Sequence, residues 1–193
     1  FIRAAEEGGL GVTFWTGLGR HRKVTYHEMV GRASRVAGRL ISLGLKPGDR
    51  MGIVLPTGPD FYDAFFGAVF AGVVPCAMYP PVRLGRIDEW KNRTSLMMTE
   101  AEVQIVLTDR RLLPLVSVPG QSAGVLHGVQ TVEWCLKSDP VDPRLQSPQS
   151  LAAVQFSSGS TGRPKPVALT HRNMVQNCQA IMSTFPGDVE VHS

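Results

Sequence analysis

The stretch from Phe156 to His171, which reads FSSGSTGRPKPVALTH, constrains the fold of this chain more than any other. Between the apolar run Leu151 to Val154 and Lys165, it places six consecutive hydroxyl or glycine residues: Ser157, Ser158, Gly159, Ser160, Thr161 and Gly162. Glycines let backbone N–H groups approach an anion, short hydroxyls add donors without bulk, and the lysine adds positive charge. The stretch therefore predicts a strand, a phosphate-binding loop, a second strand and a helix.

This loop does not have the Walker pattern, in which GxxxxGK continues with Ser or Thr. Pro164 stands at the fifth position after Gly159, and Pro166 follows Lys165. A solvated Ser/Gly linker would explain the SGS tripeptide alone. The apolar run before the loop and the Pro-Lys pair and helix after it favour a binding loop.

The stretch resembles the phosphate loop of the adenylate-forming (acyl-AMP) superfamily, commonly written [ST]SG[ST]TGxPKG and followed by a strand and a Thr-His helix start. Eight residues match that pattern in order: Ser157, Ser158, Gly159, Ser160, Thr161, Gly162, Pro164 and Lys165. One position departs from it, because Pro166 replaces the usual glycine and removes a backbone donor, although proline is tolerated at the first residue of a strand. The resemblance implies that Ser157 to Gly162 and Lys165 bind the phosphates of ATP with Mg²⁺, and that Lys165 is catalytic.

Helices and buried strands alternate along the rest of the chain. Thr25 and Glu28 form a capping box before a helix, and an apolar strand, Met51 to Leu55, is followed by an apolar helix, Asp60 to Ala71. This order predicts an α/β fold, a mostly parallel sheet flanked by helices on both faces. Since ligands bind at the carboxyl ends of parallel strands, we expect the loop at that edge.

Other segments give shorter predictions. Val12 to Trp15 and Lys23 to Thr25 are expected to form a hairpin. Arg110 to Val116 is predicted as a short helix and Ser117 to Gly128 as a glycine-rich loop. After Thr170, which can cap a helix, an apolar face is expected at Met174, Val175, Cys178, Ile181 and Met182.

Several residues admit two interpretations. His171 could be a general base, but its place beside the helix cap favours a structural or orienting role. Phe61, Phe65 and Phe66 fit a buried core, and they would also suit the wall of a fatty-acid site.

Composition excludes other classes of protein. The net charge of +4 comes from 20 basic and 16 acidic residues without a basic stripe interleaved with aromatics, so nucleic-acid binding is disfavoured. The uncharged run Ala64 to Val82 contains Pro75 and Pro80, which would break a transmembrane helix. Three cysteines in apolar surroundings predict buried reduced thiols in a cytoplasmic protein, with no metal site: Cys76, Cys135 and Cys178.

The resemblance covers nearly the whole chain and implies that residues 1–193 are an incomplete N-terminal AMP-binding domain. In that interpretation residues 137–150 are an extended connection within the domain, and a C-terminal domain is absent. The absence of an initiating Met and the apparent start of a strand near the last residues agree with a piece of a longer enzyme. The segment Ala77 to Arg86, AMYPPVRLGR, is more similar to fatty acyl-AMP ligases than to acyl-CoA synthetases.

The resemblance implies a two-step reaction. A fatty acid is activated by ATP to an acyl-adenylate, and the acyl group passes to an acyl carrier protein or polyketide synthase module. An acyl-CoA synthetase and a non-catalytic lipid-binding or nucleotide-binding descendant, the latter suggested by Pro166, remain alternatives. The 193 residues alone are expected to be inactive, because the family's metal-binding acid, ribose-binding aspartate and C-terminal lysine all lie beyond Ser193.

Overall fold

The computed structural model describes residues 2–6, 9–15, 19–81, 84–157 and 163–184. Its helices are α1 (Ile2–Glu6), α2 (Tyr26–Ser42), α3 (Pro59–Ala71), α4 (Ile87–Glu100), α5 (Leu113–Ser122), α6 (Val132–Cys135) and α7 (His171–Met182), with one 3-10 turn, Leu84–Arg86. Its strands are β1 (Gly11–Trp15), β2 (His21–Thr25), β3 (Arg50–Val54), β4 (Val74–Met78), β5 (Val103–Thr108), β6 (Val129–Thr131), β7 (Leu151–Ser157) and β8 (Lys165–Thr170).

The strands form a two-stranded hairpin and a six-stranded sheet in the order β6-β5-β3-β4-β7-β8. β1 and β2 are antiparallel, as the sequence predicts. In the large sheet β6, β5, β3, β4 and β7 pair in parallel, whereas β8 pairs antiparallel with β7. The predicted α/β fold with a mostly parallel sheet is confirmed.

Helices cover both faces of this sheet. Leu40 of α2, Ala64 of α3, and Met51 and Ile53 of β3 belong to one buried cluster. On the opposite face, Val54 of β3 is buried with Met98 of α4 and Val116 of α5. Because successive side chains of a strand point to opposite faces, β3 supplies apolar residues to both layers.

α2 and α3 pack against each other on the face of the sheet where Leu40 and Ala64 are buried. The predicted capping box begins α2: Glu28 N–H donates to Thr25 Oγ1 (3.1 Å), and Thr25 N–H donates to Glu28 Oε2 (2.8 Å). On α3, a Cβ added at Gly67 would lie 2.5 Å from the Cβ of Val36. The missing side chain at residue 67 therefore allows the two helices to approach.

The prediction for residues 110–128 is wrong in part. α5 begins at Leu113 and continues to Ser122, through the start of the predicted glycine-rich loop. Pro119 lies inside this helix, where it and Gly120 are buried, and a Cβ at Gly120 would lie 2.6 Å from Val129 Cγ2. Gly120 thus permits close packing on β6, and tertiary burial overrides the usual preference of Pro and Gly for loops.

Residues 137–150 contain no helix or strand, and they cross the surface held by backbone hydrogen bonds. Val141 N–H donates to Ser34 O (3.3 Å), and Arg144 N–H donates to Phe70 O (2.8 Å). The described residues include no helix with the length and apolar character needed to cross a membrane.

α7 begins at the predicted Thr170 cap, but none of its residues is buried. Cys76 and Cys135 are buried, whereas Cys178 is exposed on α7, so the prediction of three buried thiols is wrong for Cys178. No other described element covers the apolar face that contains this thiol.

Candidate functional site

The two ends of the predicted phosphate loop lie next to each other. β7 ends at Ser157 and β8 begins at Lys165, and these two residues are directly paired across the antiparallel hairpin. Both side chains are exposed. The intervening candidates, Ser158, Gly159, Ser160, Thr161 and Gly162, lie outside the residues that the structure describes.

Pro166 is the second residue of β8 and pairs with Phe156. Its position agrees with the tolerance of proline at the start of an edge strand, where a missing N–H does not interrupt pairing on both sides. The departure from the family pattern is therefore accommodated by the local fold.

The carboxyl end of β7 faces the same edge of the sheet as the carboxyl ends of β3 and β4, because the three strands are parallel. A cleft of about 470 Å³ opens at this edge. Its walls come from the ends of β3, β4 and β7 and from the first turn of α3: Leu55, Pro56, Thr57, Phe61, Ala77, Met78, Tyr79, Pro80, Gln155 and Phe156. The loop ends thus lie next to a cavity in the size range of small-molecule sites.

The cleft lining is mostly apolar and includes no charged side chain among the described residues. Thr57, Tyr79 and Gln155 provide its polar side chains. Tyr79 is 79% exposed, and its backbone carbonyl accepts a hydrogen bond of 2.8 Å from Trp90 Nε1. This lining suits an apolar group with a few hydrogen-bonding atoms.

The sequence predicts the loop but not the cleft. Thr57, Tyr79 and Gln155 come from three segments that only the strand order brings together. The sequence feature that indicates the cleft is a proline-containing segment after each of two buried strands. These segments, Pro56-Thr57-Gly58 and Tyr79-Pro80-Pro81, mark the carboxyl ends of β3 and β4.

His171 lies at the opposite edge of the sheet from the loop ends. It is the first residue of α7, its N–H donates to Ser150 O (3.1 Å), and partial burial lowers the pKa of its imidazole. It lies six positions after Lys165, the first residue of β8, about 20 Å along a strand. This separation supports the structural interpretation of His171 over a general base acting at the loop.

The described residues do not bring together a cluster of metal-ligating side chains. Among them, no group of three or more His, Cys, Asp or Glu side chains lies close enough to share a metal ion. Hard cations such as Mg²⁺ take oxygen ligands, chiefly carboxylates and phosphates.

Comparison with known proteins gives a match over almost the whole chain. A family model described as AMP-binding enzyme matches residues 3–192. The chain is 31% identical over 175 residues to 4-hydroxyphenylalkanoate adenylyltransferase of Mycobacterium tuberculosis, covering 86% of this chain and 27% of the relative. It is 30% identical over 156 residues to a putative acyl-CoA synthetase of Caulobacter vibrioides, covering 81% of this chain and 27% of the relative.

The fold comparison agrees with the sequence comparison. A solved structure from a study of fatty acyl-adenylate ligases of E. coli and L. pneumophila superimposes with a TM-score of 0.84 and 29% identity. The similarity covers 97% of this chain and 35% of that structure. The chain thus spans about a quarter to a third of the length of these proteins.

Proposed function

Because this chain belongs to the AMP-binding enzyme family, whose members form adenylates, we propose that it is part of a fatty acyl-AMP ligase. The observation that carries the proposal is the pairing of Ser157 with Lys165 at the carboxyl edge of the sheet, beside an apolar cleft. The likeness to a fatty acyl-adenylate ligase structure supports the choice of substrate class.

The proposed first step joins a fatty acid to AMP. A carboxylate oxygen attacks the α-phosphorus of ATP, the bond from that phosphorus to the bridging oxygen breaks, and pyrophosphate leaves. Two anions must approach each other, so donors and positive charge near the phosphates lower the barrier. We assign this role to Ser157, Ser158, Gly159, Ser160, Thr161 and Gly162 as donors to the phosphates, and to Lys165 as the cation that stabilises the departing pyrophosphate.

The proposed second step transfers the acyl group. The thiol of a phosphopantetheine arm, carried by an acyl carrier protein or a polyketide synthase module, attacks the acyl carbon. AMP leaves and the thiol proton is released. The described residues that line the cleft contribute an apolar wall to this reaction, not an acid or a base.

We further propose that residues 1–193 form an incomplete N-terminal domain of that enzyme, with residues 137–150 as a connection inside it. In this proposal ATP arrives with Mg²⁺, and the metal ligand, the ribose ligand and the lysine of a mobile domain are supplied by residues outside this chain. The 193 residues alone should then give no fatty-acid-dependent exchange of pyrophosphate with ATP.

The test measures fatty-acid-dependent ATP–pyrophosphate exchange in the full-length protein. Lys165→Ala should lower kcat/KM by roughly a hundredfold, the magnitude expected when one electrostatic contact to the transition state is lost, and Lys165→Arg should restore part of it. Lys46→Ala is the matched control, since Lys46 is an exposed lysine in the turn before β3, at the opposite edge of the sheet. Equal activity in Lys165→Ala and Lys46→Ala would remove Lys165 from the mechanism.

An acyl-CoA synthetase is the second candidate, favoured by the similarity to the putative acyl-CoA synthetase of Caulobacter vibrioides. Offering the full-length protein CoA and a holo carrier protein in separate reactions distinguishes the two. Acyl transfer to the carrier protein supports the ligase, and transfer to CoA alone supports the synthetase. A full-length protein that forms no acyl-adenylate with any fatty acid would contradict both.

A further inference from the structure

A charged cluster joins α2 to α3 outside the cleft. Arg32 Nε donates a hydrogen bond of 2.7 Å to Asp63 Oδ2, and Arg32 Nη2 lies 2.6 Å from the same oxygen. Arg32 Nη2 also donates to Asp60 Oδ1 at 3.1 Å. One guanidinium therefore holds two carboxylates of the same helix.

The members of this cluster differ in burial. The side chain of Asp63 is 1% exposed, whereas those of Arg32 and Asp60 are 32% and 46% exposed. Asp63 Oδ1 has no hydrogen-bond partner among the described residues. An apolar residue would fill such a position without an unsatisfied oxygen, so stability alone is a poor explanation for the ion pair.

The two aspartates of the cluster lie on the first turns of α3, which residues 55–58 connect to β3. Gly58 precedes the helix and provides no side-chain cap, and Pro59 is its first residue. Between the two aspartates is Phe61, whose side chain lines the cleft. Consecutive helical residues are rotated by about 100°, so holding residues 60 and 63 from one side sets the direction of residue 61.

We propose that Arg32 is a positioning residue for the cleft: by holding Asp63 and Asp60 it fixes the Phe61 ring as a wall against the acyl chain of the substrate. The assignment of the acyl chain rests on the proposed function and on a cleft lining that includes no charged side chain among the described residues. We call the contacts of Arg32 with Asp63 and Asp60 the clamp, and these contacts do not depend on the identity of the substrate.

The first test observes the Phe61 ring without reference to activity. The protein is labelled with 4-fluorophenylalanine, and the ¹⁹F resonance of residue 61 is identified with Phe61→Leu. We expect the resonance to shift or broaden in Arg32→Met. Since Arg32→Met leaves Asp63 buried without its partner, the double variant Arg32→Met with Asp63→Leu provides a second folded form in which the clamp is absent.

Arg50→Met is the matched control for this experiment. Arg50 also forms an ion pair, with Glu102, and its side chain is 23% exposed, but it begins β3 at the amino edge of the sheet. The Phe61 resonance should not change in Arg50→Met. An unchanged resonance in both Arg32 variants would overturn the proposal.

The second test uses kinetics of the full-length protein. The double variant should raise KM for the fatty acid about tenfold and leave KM for ATP and kcat near their original values. In a Phe61→Ala background the same two substitutions should have no further effect on KM. An equal effect in both backgrounds would show that Arg32 does not act through Phe61. Absence of exchange activity in the original protein would contradict the proposed function, and the ¹⁹F experiment would still decide whether Arg32 positions the ring.

Discussion

α2 and α7 begin in the same way and differ in how much of each helix is buried. Each helix starts after a threonine whose hydroxyl oxygen accepts a hydrogen bond from the backbone N–H of the third helical residue. The side-chain oxygen of that third residue, Glu28 in α2 and Asn173 in α7, accepts a hydrogen bond from the threonine N–H. Each also carries an apolar face. Yet α2 buries seven residues and α7 buries none. In these two helices local sequence therefore determines where the helix begins, and the availability of a partner surface determines whether its apolar face is buried.

α2 packs against α3, which approaches α2 closely at Gly67. Arg32 of α2 also forms an ion pair with Asp63 of α3. α7 is attached to the sheet through its first turn, where His171 and Arg172 N–H groups donate to Ser150 and Pro148 carbonyls. Among the described residues, nothing packs over the far end of α7, where Ile181 is 49% and Met182 62% exposed.

The largest difference between the buried core, to which α2 belongs, and α7 should be in the reactivity of the cysteine thiols. Burial raises the pKa of Cys76 and of Cys135 to about 12, so both thiols stay protonated and inaccessible in the native chain. Cys178 on α7 is exposed. At pH 8 a maleimide should modify Cys178 faster by on the order of a thousandfold or more. Peptide mass spectrometry over time provides the rates, and labelling of all three at one rate in the native protein would contradict the described burial.

Truncation of an apolar side chain should have unequal effects in the two helices. Leu40→Ala in α2 removes a fully buried side chain and should lower the free energy of unfolding by about 2–5 kcal/mol. Ile181→Ala in α7 removes a half-exposed one and should change it by less than about 0.5 kcal/mol. Urea unfolding of both variants measures the difference. A large loss in Ile181→Ala would mean that α7 is covered by a surface that the structure does not describe.

Two glycine substitutions separate packing from helix propensity. Gly67→Ala places a Cβ 2.5 Å from Val36 and should destabilise the chain by about 1–3 kcal/mol. Gly31→Ala, on an exposed position of α2 with no atom within 4 Å of the added Cβ, should stabilise it by about 0.5–1 kcal/mol. Opposite shifts of Tm are the expected result, and shifts of the same sign would show that the α2–α3 contact is looser than described.

Removal of the helix caps should have the smallest effect on stability, and the two helices should differ in whether the loss is global or local. Thr25→Ala and Thr170→Ala each delete one cap, a loss of about 1 kcal/mol. In α2 that loss should appear in global unfolding, because the helix is part of the core. In α7 it should appear as faster amide hydrogen exchange confined to the helix. Equal loss of global stability in both variants would mean that α7 unfolds together with the core.

The same distinction explains which features could be predicted from the sequence. The capping box at Thr25, the cap at Thr170 and the β1–β2 hairpin depend on neighbours a few residues away, and all three agree with the structure. The helix through Pro119 and Gly120 does not follow from local preference, because Pro and Gly are typical of loops and their place here depends on the close packing of Gly120 against Val129 of β6.

The candidate site likewise has one part that follows from local sequence and one part that depends on the order of the strands. A short motif indicated Ser157 and Lys165, since a phosphate loop is a local pattern. The cleft beside them requires the order β3-β4-β7 and could not be derived from any one segment. The pairing of Arg32 with Asp63 does not follow from the sequence, because the two positions are 31 apart and neither belongs to a motif.

The placement of β8 has a consequence for self-association. β8 is the last strand of the six-stranded sheet, and one side of it is not paired with any described strand. Its Val167 is 44% exposed, and the exposed side chain of Lys165 lies on the same strand. A lysine on a strand with an unpaired side disfavours pairing with an extended segment of another molecule. Among the described residues, the lysine that completes the loop motif is thus also a charge that opposes aggregation through β8.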